Sequence, residues 1–373
     1  MLRRDFHFAG HAFRVEGAEE PLVWLQRFVE PQFAARDTDA PHEIIRFVVD
    51  VREHARLAAC GPHPAGLSKA CFTLDSGMVT GHVWDVRDGT EVVFEEARGV
   101  FYRRRPDEPR VIEIIAARDA AEARVALMRA VREYAMGYAS RAGWLIVHAA
   151  AVCIGDGAFV IAGPKKAGKT TLLLHALRNE RGAYVSNDRV AVHAEPAGPM
   201  VAGIPTIVSI RSDSTVWFPG LGPELSGVRF DARPPVAERD VPRELTPAKS
   251  WSLSPRQLCD IIGVESRAAA RVVGVLFPQV DGSTPGVTFE ELGSEEARRA
   301  LHATLFRSCP TNGMFGIRGD DRQTDLENAA VAHVTRVVNA VPSFACRLGP
   351  DAYRDGARWL SHVVEMAAHT SRG

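Results

Sequence analysis

The sequence predicts an α/β protein with a mixed sheet: a β-rich domain over residues 1–118, then a core over 119–373 built around one glycine-rich turn. Three observations carry this. The first 115 or so residues hold short β-branched and aromatic runs divided by Gly and Asp-Gly turns. One long helical pattern follows at 120–143. Beyond it, two apolar strand runs lead into Gly163-Pro-Lys-Lys-Ala-Gly168-Lys169-Thr170, and a second helical pattern leads out.

In chain order, FHFAGHAFRVE (6–16) alternates about a Gly and reads as a hairpin. EIIRFVVDV (43–51), MVTGHVWDV (78–86), TEVVFEE (90–96), RGVFYRR (98–104) and RVIEIIA (110–116) continue the β pattern. AAEARVALMRAVREYAMGYASRAG (120–143) repeats its apolar residues at helical spacing, with Gly143 as the stop. WLIVHAAAVCI (144–154) and AFVIAG (158–163) are strands joined by Gly-Asp-Gly, and TTLLLHALRNE is a helix. AYVSNDRVAV (183–192) and GIPTIVSIR (203–211) are β-type runs. Residues 219–256, rich in Pro, Arg and Glu, read as an exposed excursion. RVVGVLFPQV (271–280) reads as a buried strand, and 295–306 and 326–341 as helices. PSFACRLG and DAYRDGARWLSHVVEMAAH close the chain as strand and helix.

Composition narrows the function classes. The 373 residues are 46% hydrophobic and 24% charged, ordinary for a globular chain with a substantial core. Lys plus Arg (45) balances Asp plus Glu (46), so no global field draws nucleic acid or an anionic membrane. Cys60, Cys71, Cys153, Cys259, Cys309 and Cys346 form no CxxC pair, which argues against a disulfide framework or a zinc site and fits a reducing cytoplasm. The start MLRRDFHFAGHAFRV lacks the apolar run of a signal peptide, and no stretch approaches 18 continuous apolar residues. The expectation is a cytoplasmic protein with no nucleic-acid or membrane partner. The cluster YRRR (102–105) reads as a solvated strand edge.

The stretch 163–170 satisfies GxxxxGK[ST], a phosphate cradle. Its glycines let the backbone curl so that successive N–H groups face phosphate oxygens, and the helix behind adds its positive end. The expected nucleotide contacts are Gly163, Lys165, Lys166, Ala167, Gly168, Lys169, Thr170 and Thr171. Lys169 reaches the β- and γ-phosphates, and the Thr170 hydroxyl ligates Mg²⁺. The cofactors are therefore ATP and Mg²⁺. A transporter-type ATPase needs an acidic strand end and an LSGGQ-like signature; this chain offers only ELSGV (224–228), without the second Gly and the Gln.

The arrangement resembles the HPr kinase/phosphorylase family and its kinase-like relatives, which share a nucleotide core with ATP-dependent phosphoenolpyruvate carboxykinases. His148 opens the strand pair fifteen residues before Gly163. Ser186-Asn187-Asp188-Arg189-Val190 stands where the family has an acidic pair followed by Arg-Val, and Ser209-Ile210-Arg211 where it has a Glu-Ile-Arg shape. The resemblance covers residues 144–215 and implies a mixed-sheet, P-loop nucleotide core. It implies that Asp188 holds Mg²⁺ with Thr170, that His148 contacts the γ-phosphate or acts as a base, and that Arg189 and Arg211 balance transferred charge. Asn187 replaces the first Asp of the pair, so an amide that cannot accept a proton stands where the family has its base. Ser209 replaces a metal-binding Glu, and the family's C-terminal signature for acting on HPr is absent.

The residues also have plainer readings: Asp188 as a turn cap, His148 as a satisfied core residue, Arg189 and Arg211 as surface ion pairs, Asn187 as a turn amide. The expected activity is transfer of the γ-phosphoryl of ATP to a hydroxyl on a peptide, protein or small molecule. The alternatives are a catalytically degenerate ATP-binding regulatory or assembly protein and a plain ATPase. The segment 307–325 reads as either a substrate-covering loop or a connector. The sequence names neither the acceptor nor the oligomeric state.

Overall fold

The computed structural model describes residues 1–30, 32–61, 72–74, 77–79, 81–84, 89–215, 217–218, 220–226, 228, 250–283, 286–306, 323–349, 352, 359–360 and 363. The chain divides into two compact units, one built on Met1–Ala142 and the other on residues from Gly143 onward. The long helix that the sequence reading placed at the head of the second domain thus belongs to the first.

In the first unit, β1 (Leu2–Phe8) and β2 (His11–Gly17) form a hairpin about Ala9 and Gly10, both at positive φ. Then come α1 (Glu19–Val29), β3 (Ala34–Ala35), β4 (Glu43–Val49), α2 (Val51–Cys60), β5 (Phe72–Leu74), β6 (Gly77–Val79), β7 (Gly81–Trp84), β8 (Glu91–Glu95), β9 (Val100–Arg104), β10 (Val111–Ala116) and α3 (Ala121–Arg141). The sheet runs β3-β1-β2-β4-β10-β9-β8-β7, with β4 parallel to β2 and β10. Helices α1 and α3 pack together and against β2, while α2 packs on β9 and β10.

The β-rich reading of 1–118 passed over α1 and α2. Helix α1 buries Pro21, Leu22, Trp24, Leu25, Phe28 and Val29, a helical stripe whose aromatic and β-branched residues also suit a strand. Helix α2 buries only Leu57 and depends on its cap, where Asp50 Oδ1 accepts the N–H groups of Arg52 (2.8 Å) and Glu53 (3.0 Å).

The second unit comprises β11 (Leu145–Val147), β12 (Ala149–Ile154), β13 (Gly157–Ala162), α4 (Lys169–Asn179), β14 (Ala183–Ser186), β15 (Val190–His193), β16 (Met200–Gly203) and β17 (Val208–Arg211). It continues with α5 (Ser212–Thr215), α6 (Leu221–Leu225), β18 (Ser250–Leu253), α7 (Pro255–Ile262), β19 (Ala269–Val280), β20 (Val287–Glu291), α8 (Ser294–His302), α9 (Gln323–Ala340) and β21 (Ser343–Leu348). The main sheet runs β11-β15-β16-β19-β13-β12-β14, extended from β19 through β21 to β20; β17 and β18 pair separately. Strand β13 is parallel to β19 and antiparallel to β12, so the α/β fold has the expected mixed sheet.

Alternation along β13 serves two cores. Phe159 and Ile161 join Leu172, Leu173 and Leu177 of α4 with Leu258 of α7. Ala158, Val160 and Ala162 face the opposite way and join Leu301 of α8 with Val334 and Val337 of α9. A strand covered on both faces has to be apolar at every position, which is the run AFVIA. Residues 229–249 of the 219–256 excursion, the segment 307–322 and most of the closing helical pattern lie outside the described residues. No helix among the described residues is long and apolar enough to cross a membrane.

Candidate functional site

Strand register gathers His148, Gly163, Asn187 and Asp188 at one edge of the second sheet. The last β12–β13 pair is Ala149 with Ala162, so His148 and Gly163 are the next residues beyond it. Ala151 pairs with Ser186, and β14 ends there, which brings Asn187 and Asp188 to the same edge. The run 144–154, expected as one strand, is two: β11 pairs with β15, and β12 with β13 and β14, the change falling at His148. The run 183–192 is a strand, a polar break at Asn187, Asp188 and Arg189, and a second strand: β14 pairs with β12, and β15 with β11 and β16.

The loop after β13 has three residues at positive φ: Gly163 (155°), Lys166 (71°) and Gly168 (104°). A Cβ on Gly163 would lie 3.2 Å from the Ala167 Cβ. Gly168 is the N-cap of α4 and offers no side chain to its first-turn N–H groups, whereas Ser254 caps α7 with a full capping box. Lys169, buried in the first turn, donates from Nζ to the carbonyls of Gly163 (2.7 Å) and Pro164 (3.0 Å). Pro164, Lys165 and Lys166 are exposed, and Ala167, Gly168, Thr170 and Thr171 are half-buried. The loop carries Lys165, Lys166 and Lys169 and is strained at Lys166, a conformation that non-glycine residues adopt at a cost of about 1–2 kcal/mol.

His148 and Asp188 meet across the edge, with Nε2 3.2 Å from Oδ1. Arg189 Nε lies 3.3 Å from the other carboxylate oxygen. The Arg189 guanidinium is buried, its Cζ 4.5 Å from the centroid of the Phe306 ring, and that ring is 5.7 Å from the His148 ring. Phe306 is held by its backbone: its N–H donates to Ile146 O (2.9 Å), while His148 N–H donates to Thr304 O (2.8 Å). Three segments distant in sequence thus fix an imidazole, a carboxylate and a guanidinium on one another.

Asn187 is occupied by the fold. Its Oδ1 accepts from the Tyr184 hydroxyl (2.7 Å) and the Thr206 hydroxyl (3.1 Å), and its Nδ2 donates to Ile207 O (3.4 Å). Burial keeps the Tyr184 phenol well above its usual range, so it remains a donor. Ser186 Oγ ties the same turn by donating to Arg189 O (2.6 Å). Arg211 ends β17 on the separate β17–β18 ladder, exposed on the same side as Ser209.

Among the described residues no group of three or more His, Cys, Asp or Glu side chains could hold a metal by itself. Thr170 and Asp188 offer hard oxygen donors, which suit Mg²⁺ that takes its other ligands from phosphate and water. Sequence reasoning missed Phe306; a lone Phe at the end of an apolar helical pattern carries no signal of its own. It also missed the Lys169 carbonyl contacts, which only the curled loop creates. Neither a family model nor a curated protein matches this sequence.

Proposed function

We propose that the loop 163–171 is a P-loop binding ATP with Mg²⁺, and that the protein is a cytoplasmic ATP-dependent kinase, a divergent relative of the HPr kinase family. The observation that carries this reading is the 3.2 Å contact of His148 with Asp188 at the edge where the GxxxxGKT loop begins. The open N-terminus of α4 and the positive-φ glycines support phosphate binding there.

In this reading the loop amides and Lys169 hold the phosphates, with Lys169 exchanging its carbonyl partners for phosphate oxygens. Thr170 and Asp188 hold Mg²⁺, which neutralises phosphate charge when bound. Asp188 then need not act as the base: His148, oriented by it, takes the proton of the acceptor hydroxyl at a ring nitrogen. Arg189, placed by Phe306, balances the charge on the transferred group. The acceptor is a hydroxyl on a peptide, protein or small molecule.

A second reading, an ATP-binding regulatory or assembly protein, draws on Asn187, whose Oδ1 already accepts two hydrogen bonds and cannot act as a base. Incubation with Mg²⁺-ATP, alone and with candidate acceptors, separates the readings. Acceptor-dependent ADP release supports the kinase. Steady release without acceptor points to a plain ATPase, and tight binding without turnover to the regulator.

A further inference from the structure

A polar cluster in the first unit has no part in the phosphoryl chemistry. Phe13 pairs with Glu43, and Ile114 with Tyr102. Period-two alternation then puts His11 of β2, Glu43 of β4 and Arg104 of β9 on one face. His11 and Glu43 open their strands and Arg104 closes the antiparallel β9, so all three stand at one end of the sheet. Helix α3 meets them there. Arg104 Nη2 donates to the Tyr134 hydroxyl (2.6 Å) and the Tyr138 hydroxyl to Glu43 Oε1 (3.1 Å). The His11 ring lies 4.8 Å from Tyr138 and 5.1 Å from His42, and Arg141 sits 4.4 Å over the Tyr138 ring.

Among the described residues, three atoms of this cluster are shut from solvent without a hydrogen-bond partner: His11 Nδ1, Glu43 Oε2 and Arg104 Nε. The charge of Arg104 reaches Glu43, yet the two close no ion pair. Arginine cannot shed its proton, so its Nε–H requires an acceptor, and Glu43 Oε2 in its charged form requires a donor. Arg110 and Arg141, which also act on Glu43, are exposed, so the buried part of the cluster is one cationic donor, Arg104, and one acceptor, Glu43. Their complement is a molecule that joins an acceptor for Arg104 to a donor for Glu43. A water molecule can bridge a donor and an acceptor, whereas a carboxylate beside an N–H or O–H offers a charge-assisted bond to each.

We propose that this cluster binds a small carboxylic acid with an amino or hydroxyl group beside its carboxylate. The carboxylate accepts from Arg104 Nε–H, the neighbouring N–H or O–H donates to Glu43 Oε2, and the rings of His11, His42 and Tyr138 flank the carbon skeleton. Burial, which pushes the Glu43 carboxyl up, agrees with a site that lacks its partner.

The test is calorimetric titration of the full-length protein with glycine, alanine, phenylalanine, lactate and phenyllactate. Acetate, propionate and the amino-acid methyl esters are the controls. The expected result is saturable binding of an amino or hydroxy acid, absent for its controls and weakened about tenfold or more by Arg104→Lys and by Glu43→Gln. Glu43→Gln keeps an acceptor for Tyr138, and thermal melting of both variants checks that they fold. Amino acids against hydroxy acids decides the source of the donor. Binding of none of these acids, which would mean ordered water fills the cluster, overturns the proposal. So does acetate binding as tightly as they do, or affinity unchanged in both folded variants.

Discussion

Asn187 and Asp188 are neighbours in one turn with opposite fates. Asn187 is enclosed by Tyr184, Thr206 and Ile207, while Asp188 stands between His148 and Arg189. The two were not separable in sequence, because either residue type caps turns. Their difference comes from Tyr184 and Thr206, which the fold brings in from either side. Asp188→Asn leaves the Asn187 bonds in place. It is expected to retain nucleotide binding while lowering acceptor-dependent ADP release by about 100-fold or more. Equal loss from Asn187→Ala in a stably folded variant would contradict this division. Phe306→Ala removes the ring beneath Arg189, a contact of about 0.5–2 kcal/mol. A 2–30-fold fall in turnover is expected, with a melting temperature lower by a few degrees.

At the scale of elements, a pattern was readable where one physical demand acted alone. The doubly covered β13 and the leucine stripe of α4 are examples. The break between β11 and β12 was not readable, because every residue from Leu145 to Ile154 except His148 is apolar and the change of partner is decided by β15 and β14. Helices α1 and α2 were missed for local reasons, an aromatic stripe that suits either period and a helix resting on one buried Leu and its Asp50 cap. The start of α4 gives a prediction of its own. Gly168→Ala forces a side chain to φ 104° and should cost about 1–2 kcal/mol, seen as a lower melting temperature with weakened nucleotide binding. Ala at the right-handed Gly220 near α6 should cost less.

At the scale of the whole molecule, stability couples to pH through a group that no motif marks. His175 of α4 is fully buried, stacked 4.9 Å from Trp359, and burial pushes its pKa down to about 4. A folded pKa below the unfolded value means that the unfolded chain binds the proton first. Stability is therefore held above pH 6.5 and lost as pH falls from there towards 4, on the order of 3 kcal/mol. Melting curves across that range should show the loss, and His175→Gln should flatten it. Glu53 acts lower: Arg56 and Arg103 hold its carboxyl down to about 2, so its contribution goes between pH 4.5 and 2. An unchanged acid limb in Glu53→Gln would count against that assignment.

All of the functional reading rests on the loop from Gly163 to Thr171 holding a nucleotide. Calorimetric titration of the full-length protein and of Lys169→Ala with a nonhydrolysable ATP analogue, with and without Mg²⁺, tests this most directly. The account predicts saturable, Mg²⁺-strengthened binding to the wild type and its loss in a folded Lys169→Ala variant. Equal affinity of the two proteins, or no binding to the wild type, would contradict it.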